Sequence, residues 1–306
     1  EDWRLEDEQS RMRRIEEDAA NREKAILHFD EHRAEILSGE HLGWMEEIGN
    51  HYFGHYDIND RSVDPMARLN KFFGEERTEV VLTGLNALIA SRKISPISEI
   101  ISLHFEQSLC PLGYAVPAGL DRLSENEIND AGFTDDYLAS AIATTCFSPV
   151  FRREENTIHM WNHTWLQHAI RLRPDLVRQT YATIMGADLA ADRRQLEGLS
   201  ELQDQALAGP LRGALIEQLL MRFPQMHCNA LEALLRMAAE DEIWSKLQAA
   251  TAIGAAFAID SNDEHRNDRR DTRRLWLAFG FLTEPARYRP QIETMHDEDA
   301  SVVLRN

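Results

Sequence analysis

The sequence predicts an all-α protein, a HEAT-like superhelix of stacked antiparallel helical hairpins, and three observations carry that expectation. Apolar residues recur at helical spacing through residues 215–259. Leu215, Leu219, Leu220 and Phe223 form one stripe, Leu231, Leu234, Leu235 and Ala238 a second, and Ile243, Leu247, Ala250 and Ile253 a third. The breaks between them, at Pro224 and Gln225 and again at Glu240 and Asp241, are short. A helix with one apolar stripe buries it against a neighbour, and a short connection makes that neighbour antiparallel. Finally, paired helices recur roughly every 35–45 residues, the spacing of HEAT units, and no sustained apolar–polar alternation marks a strand.

Taken from its start, the chain opens with a helical pattern over residues 1–37 that contains neither Gly nor Pro. Leu5, Met12, Ile15, Ala19, Ile26, Phe29 and Ile36 approach a heptad seam, although Arg22 and Arg33 interrupt it. A coiled-coil arm and a long linking helix both fit, and Ser38 and Gly39 end the pattern. Residues 1–38 are therefore expected as a linking helix and 39–306 as the helical-repeat domain. An aromatic-rich helix follows over 41–56, then a loop over 57–63. Asp64 and Pro65 supply a cap and a first helical position for a short helix over 66–73. Residues 75–92 and 95–108 make a further pair.

Pro111, Gly113, Pro117 and Gly119 break the pattern over 110–132. Helix returns over 134–146 behind Thr134, gives way to a loop over 148–156, and resumes over 157–172. Arg173 and Pro174 start a helix over 175–187. Residues 196–207 lead through Gly209 and Pro210 into the central block. A polar loop is expected over 261–272, a helix over 273–282, and one more opening at Glu284 and Pro285.

Composition bounds the function. The chain has 306 residues and a formal charge of -19, long enough for a large core and acidic enough to repel a nucleic-acid backbone unless a local patch prevails. No apolar run approaches the roughly 20 residues that span a bilayer. Cys110, Cys146 and Cys228 are widely spaced, which reads as free thiols in a reducing cytosol. The first residue is Glu1 and the last residues are SVVLRN, ends expected of a piece of a longer protein.

Three histidine pairs, His28/His32, His51/His55 and His159/His163, sit four residues apart, which on a helix places both imidazoles on one face as in a zinc pair. None carries the glutamate of HExxH, and a metal needs further ligands. The third pair is joined by His168 and is the candidate metal set, although Trp161, Trp165 and Leu172 also describe a plain core stripe. No GxSxG, GxxxxGK[ST] or GxGxxG is present, so no catalytic residue and no cofactor is expected. A basic cluster, His265, Arg266, Arg269, Arg270, Arg273 and Arg274, stands before Leu275, Trp276, Phe279 and Phe281. Asp263, Glu264, Asp268 and Asp271 are interleaved, so the cluster reads either as a solvated helix start or as a contact surface for an acidic protein segment or a nucleic acid.

LLMRFPQMHCNALEALLRMAAE (219–240), with HLGWMEEIGNHYFGHY (41–56) upstream, resembles the helical C-terminal regions of large bacterial NACHT-type STAND NTPases. That resemblance implies a superhelical sensor array behind a P-loop module that oligomerises on a trigger, and several such proteins act in antiviral defence against phage. The expectation is thus a non-catalytic recognition and scaffold module of a longer cytoplasmic protein, binding a protein partner or ligand on a concave helical surface and touching no membrane. Two alternatives stand beside it: a helical metal-binding enzyme using His159, His163 and His168, and nucleic-acid binding through Arg266 to Arg274.

Overall fold

Among the described residues helix accounts for nearly all the regular structure, and they are all-α apart from one short hairpin. The computed structural model describes residues 2–56, 64–154, 157–203, 205–240, 250–254 and 266–293. The chain divides into two units, Glu1–Leu166 and Gln167–Asn306. No described helix is long and apolar enough to cross a membrane.

The first unit holds α1 (Asp2–Glu31), α2 (Arg33–Leu37), α3 (Leu42–Phe53), α4 (Pro65–Phe73), α5 (Glu75–Ser91), α6 (Ile97–Phe105), α7 (Ala115–Leu120), α8 (Glu125–Asp130) and α9 (Asp135–Phe147). At its centre lies α3, packed against α4, α5 and α7 through buried Trp44, Met45, Ile48, Tyr52 and Phe53. Local chemistry sets the boundaries. The Asp64 carboxylate accepts from the backbone N–H of Met66 (2.9 Å) and Ala67 (3.2 Å), with Pro65 at the first helical position. Ser124 and Glu127 form a reciprocal capping box on α8. Gly39, at φ +70°, turns the chain from α2 toward α3 directly against α5, where a Cβ would stand 2.6 Å from the Leu88 nitrogen. Only glycine serves both needs.

Within the second unit are α11 (Pro174–Ala190), α12 (Leu199–Gln203), α13 (Gln205–Arg222), α14 (Cys228–Glu240), α15 (Arg266–Thr283) and α16 (Pro285–Glu293), while α10 (Thr164–Leu172) carries the boundary between units. Helix α13 packs on α11, α12 and α14, and α15 on α14 and α16. The two stripes read from the central block supply its core: Leu215, Leu219, Leu220, Leu231, Leu234, Leu235 and Ala238 are all buried, and Phe223 is partly so. Of the third stripe, Ile253 is buried in a helical stretch, whereas Ile243 and Leu247 lie outside the described residues. Trp276 is fully buried and donates from Nε1 to the Pro224 carbonyl at 2.7 Å.

Four expectations are corrected. The helix expected over 1–37 breaks at His32. The one expected over 157–172 begins only at Thr164, because β1 (Phe151–Glu154) and β2 (Thr157–Met160) pair antiparallel, Phe151 opposite Met160; the β-branched Thr157 and Ile158 suit this extended backbone. Helix α13 runs through Gly209 and Pro210 without a break, although Pro210, past the first turn, has no N–H to donate to the carbonyl four residues before it. Finally, residues 266–272, read as part of a polar loop, are the first two turns of α15. Thr272 is buried there and donates to the Met226 carbonyl at 3.2 Å, and Asp271 pairs with Arg274 one turn on.

Candidate functional site

An open polar cleft of about 670 Å³ lies in the first unit between the middle of α1, the end of α3 and the end of α4. Arg22 fixes one wall. Its guanidinium donates to the Lys71 carbonyl (2.7 Å) and the Phe72 carbonyl (3.0 and 2.7 Å), satisfying the orphan acceptors at the negative end of α4. Asp30 anchors the same helix further along through a bidentate pair with Arg77 at 2.8 and 2.7 Å. The floor is aromatic: the His51 ring stacks on Phe72 at 3.8 Å between centroids and lies 4.7 Å from the Tyr56 ring.

Glu47 supplies the fixed negative charge. Burial alone would raise its carboxyl, but His51, with Nε2 3.5 Å away, and the Tyr56 hydroxyl, which donates to it, together hold it below the usual carboxylate value. Burial and the Glu47 carboxylate push the Tyr56 phenol far above its ordinary range. Tyr56 is therefore a neutral donor and Glu47 an anion at neutral pH. The cleft thus joins an anionic acceptor to an aromatic surface, and Asp18, Arg22, Arg68 and Lys71 complete its charged lining.

A second polar centre is buried in the same unit. Asp121, at the end of α7, accepts from Trp161 Nε1 at 3.0 Å and from His163 Nδ1 at 2.8 Å, and only 4% and 6% of the Asp121 and His163 side chains are exposed. Phe53 stands edge-on to both rings. The pair ties the segment after β2 to α7.

The candidate metal set His159, His163 and His168 does not share a helix face. His159 sits in β2, His163 precedes α10 and is engaged by Asp121, and His168 lies in α10. The spacing of four has no ligand meaning once the first residue is extended, because strand and helix direct residues differently. His51 and His55 separate likewise, His51 facing Phe72 and His55 lying against Tyr114 beyond the left-handed Gly54.

Arg266, Arg269, Arg270, Arg273 and Arg274 all lie on α15, though the side chains of the first three are outside the described ones. Arg273 is exposed, while Arg274 is largely buried and donates to Asp271 at 2.7 Å. Arg274 is thus engaged within its own helix.

The joint between α1, α2 and α3 holds residues that sequence reasoning left unconnected. His28, His32 and His41 cluster there, with His32–His28 and His32–His41 centroids both 4.6 Å apart. Trp44 binds two of them, donating its indole N–H to His28 Nδ1 and its backbone N–H to His41 Nδ1, each at 3.1 Å. His32 Nδ1 stands 3.2 Å from Glu35 Oε2. Of these, only the His28/His32 spacing signals the cluster locally.

No family model, curated protein or solved structure matches the chain.

Proposed function

We propose that the chain is a helical recognition and scaffold module that takes a basic, extended segment of a protein partner into the cleft between α1, α3 and α4. The carrying observation is the half-buried Glu47 carboxylate beside the stacked His51 and Phe72 rings. A lysine or arginine entering this recess meets an anion and aromatic faces at once, the combination that favours cation–π contact and charge-assisted hydrogen bonds. The formal charge of -19 steers a basic partner toward the chain.

HEAT-like stacking of hairpins is part of the same proposal. It is supported by the single-residue connection Gly74 between α4 and α5 and by the short link between α13 and α14. The sensor role that the resemblance implies, in which partner binding biases the state of a neighbouring NTPase module, belongs to the same proposal.

The test is capture by the purified chain and its Glu47→Lys variant from cells with and without phage challenge, with circular dichroism to verify that the variant folds. A protein recovered by the wild type and lost from the variant supports the proposal. Equal recovery by both, or recovery of none, removes it.

A further inference from the structure

We propose that His32, Glu35 and His41 bind one divalent first-row transition ion, Zn2+ in the first instance, at the joint of α1, α2 and α3. One ligand atom from each of the three lies within 4.8 Å of the others. His32 Nδ1 and Glu35 Oε2 are already 3.2 Å apart, close to the ~3.3 Å between ligands of a tetrahedral ion with bonds of ~2.0 Å. Two imidazoles and one carboxylate suit zinc and its neighbours; magnesium and calcium ask for oxygen alone. Three protein ligands leave a position for water, the arrangement of an open metal site.

The backbone brings these residues together without relying on the ion. His32 is the break between α1 and α2, Glu35 lies in α2, and His41 caps α3. The Glu35 carbonyl accepts from the backbone N–H of both Glu40 (2.9 Å) and His41 (3.3 Å), closing the loop, and Gly39 is held against α5. The ligands therefore sit on a preformed turn, which lowers the ordering entropy of binding.

His28 stands outside the group of ligand atoms that lie within 4.8 Å of one another. Because Nδ1 accepts the Trp44 indole N–H, the neutral ring carries its proton on Nε2 and offers no lone pair there. His41 also accepts at Nδ1, from the Trp44 backbone N–H. An ion at that nitrogen displaces the N–H, and an ion at Nε2 requires the proton to move to Nδ1, so either route ends the cap. Metal binding must alter the surroundings of Trp44, and that supplies a reporter at the site.

The chelator-treated full chain is titrated with Zn2+ by calorimetry, with tryptophan fluorescence followed in parallel. One ion per chain is expected, with a fluorescence change that disappears in Trp44→Phe. His32→Ala, Glu35→Gln and His41→Ala should each weaken binding by more than the roughly 10–100-fold that loss of an outer-shell partner causes. His28→Ala should stay within that range. Absence of Zn2+ binding, or binding that the three substitutions leave intact, overturns the proposal. So does a His28→Ala variant as impaired as His32→Ala. Should circular dichroism show a variant unfolded, Co2+ absorption of the wild-type chain decides: intense tetrahedral d–d bands support the site, and the weak bands of the hydrated ion refute it.

Discussion

Removing the Asp121 carboxylate should be among the most damaging single substitutions in the first unit. Asp121→Ala leaves the indole N–H of Trp161 and the Nδ1–H of His163 without the acceptor that now lies 3.0 and 2.8 Å away. Each stranded donor costs about 1–3 kcal/mol where water cannot reach it. Breaking a buried polar pair by deleting one member costs about 3–5 kcal/mol in total. With 6% of the His163 side chain and 4% of that of Asp121 exposed, little solvent is available to soften the loss. Because the chain forms two units, a single denaturation curve need not report the first of them. Native-state hydrogen exchange read by mass spectrometry on α7 and α9 peptides does. At about 1.4 kcal/mol per tenfold, the slowest amides there should exchange roughly 10²–10⁴ times faster in the variant. Asp121→Asn keeps one acceptor oxygen and should fall between variant and wild type. Acceleration below about tenfold in Asp121→Ala would show that these hydrogen bonds are replaced readily, and the reasoning from burial would fail.

Two further substitutions test other links. Gly39→Ala forces an L residue to φ +70° and sets a Cβ 2.6 Å from the Leu88 nitrogen, so a loss of about 1–3 kcal/mol and a lower Tm are expected. An unchanged Tm would mean that the α2–α3 turn yields at no cost. Glu46→Gln should raise Tm at neutral pH. Burial pushes the Glu46 carboxyl above its ordinary 4.5 despite the backbone N–H groups of Tyr114 and Ala115 that bond to it. A raised folded value means that the ionisation penalty is absent below 4.5 and sets in as pH rises through the folded value. The advantage of the variant should accordingly close on acidification, and a variant less stable than wild type at neutral pH would show that the hydrogen bonds outweigh burial.

What the sequence discloses here is the part of the fold written in local periodicity. The stripes at Leu215–Leu219–Leu220 and Leu231–Leu234–Leu235 are core because the 3.6-residue period leaves one face to bury. Asp64 and Thr134 mark helix starts because their side chains reach backbone N–H groups two or three residues on. The hairpin of β1 and β2 is less legible, since four-residue strands are too short for alternation to outweigh a neighbouring helical stripe. The polar start of α15 misleads for a related reason. Its carboxylates and arginines look like loop composition, and the tertiary contacts of Thr272 and Trp276 that hold it as helix lie in the distant Met226 and Pro224 carbonyls.

The histidine cluster shows how a candidate site can be written in the chain and still be unreadable from it. His28, His32 and Glu35 follow steps of four and three, so a helical reading already places them on one side. That reading supplies a pair and a carboxylate but no third anchor, and a lone pair at this spacing is common on solvated helices. The missing member, His41, arrives only because Gly39 reverses the chain against α5, a contact with Leu88 some fifty residues away. Nothing in the order of residues 28–41 encodes the position of α5. The opposite holds for His159, His163 and His168, where the spacing looks right and the backbone is partly extended. In both cases the ligand geometry depends on backbone form and on long-range packing, and residue spacing counts as a metal signal only where both are known.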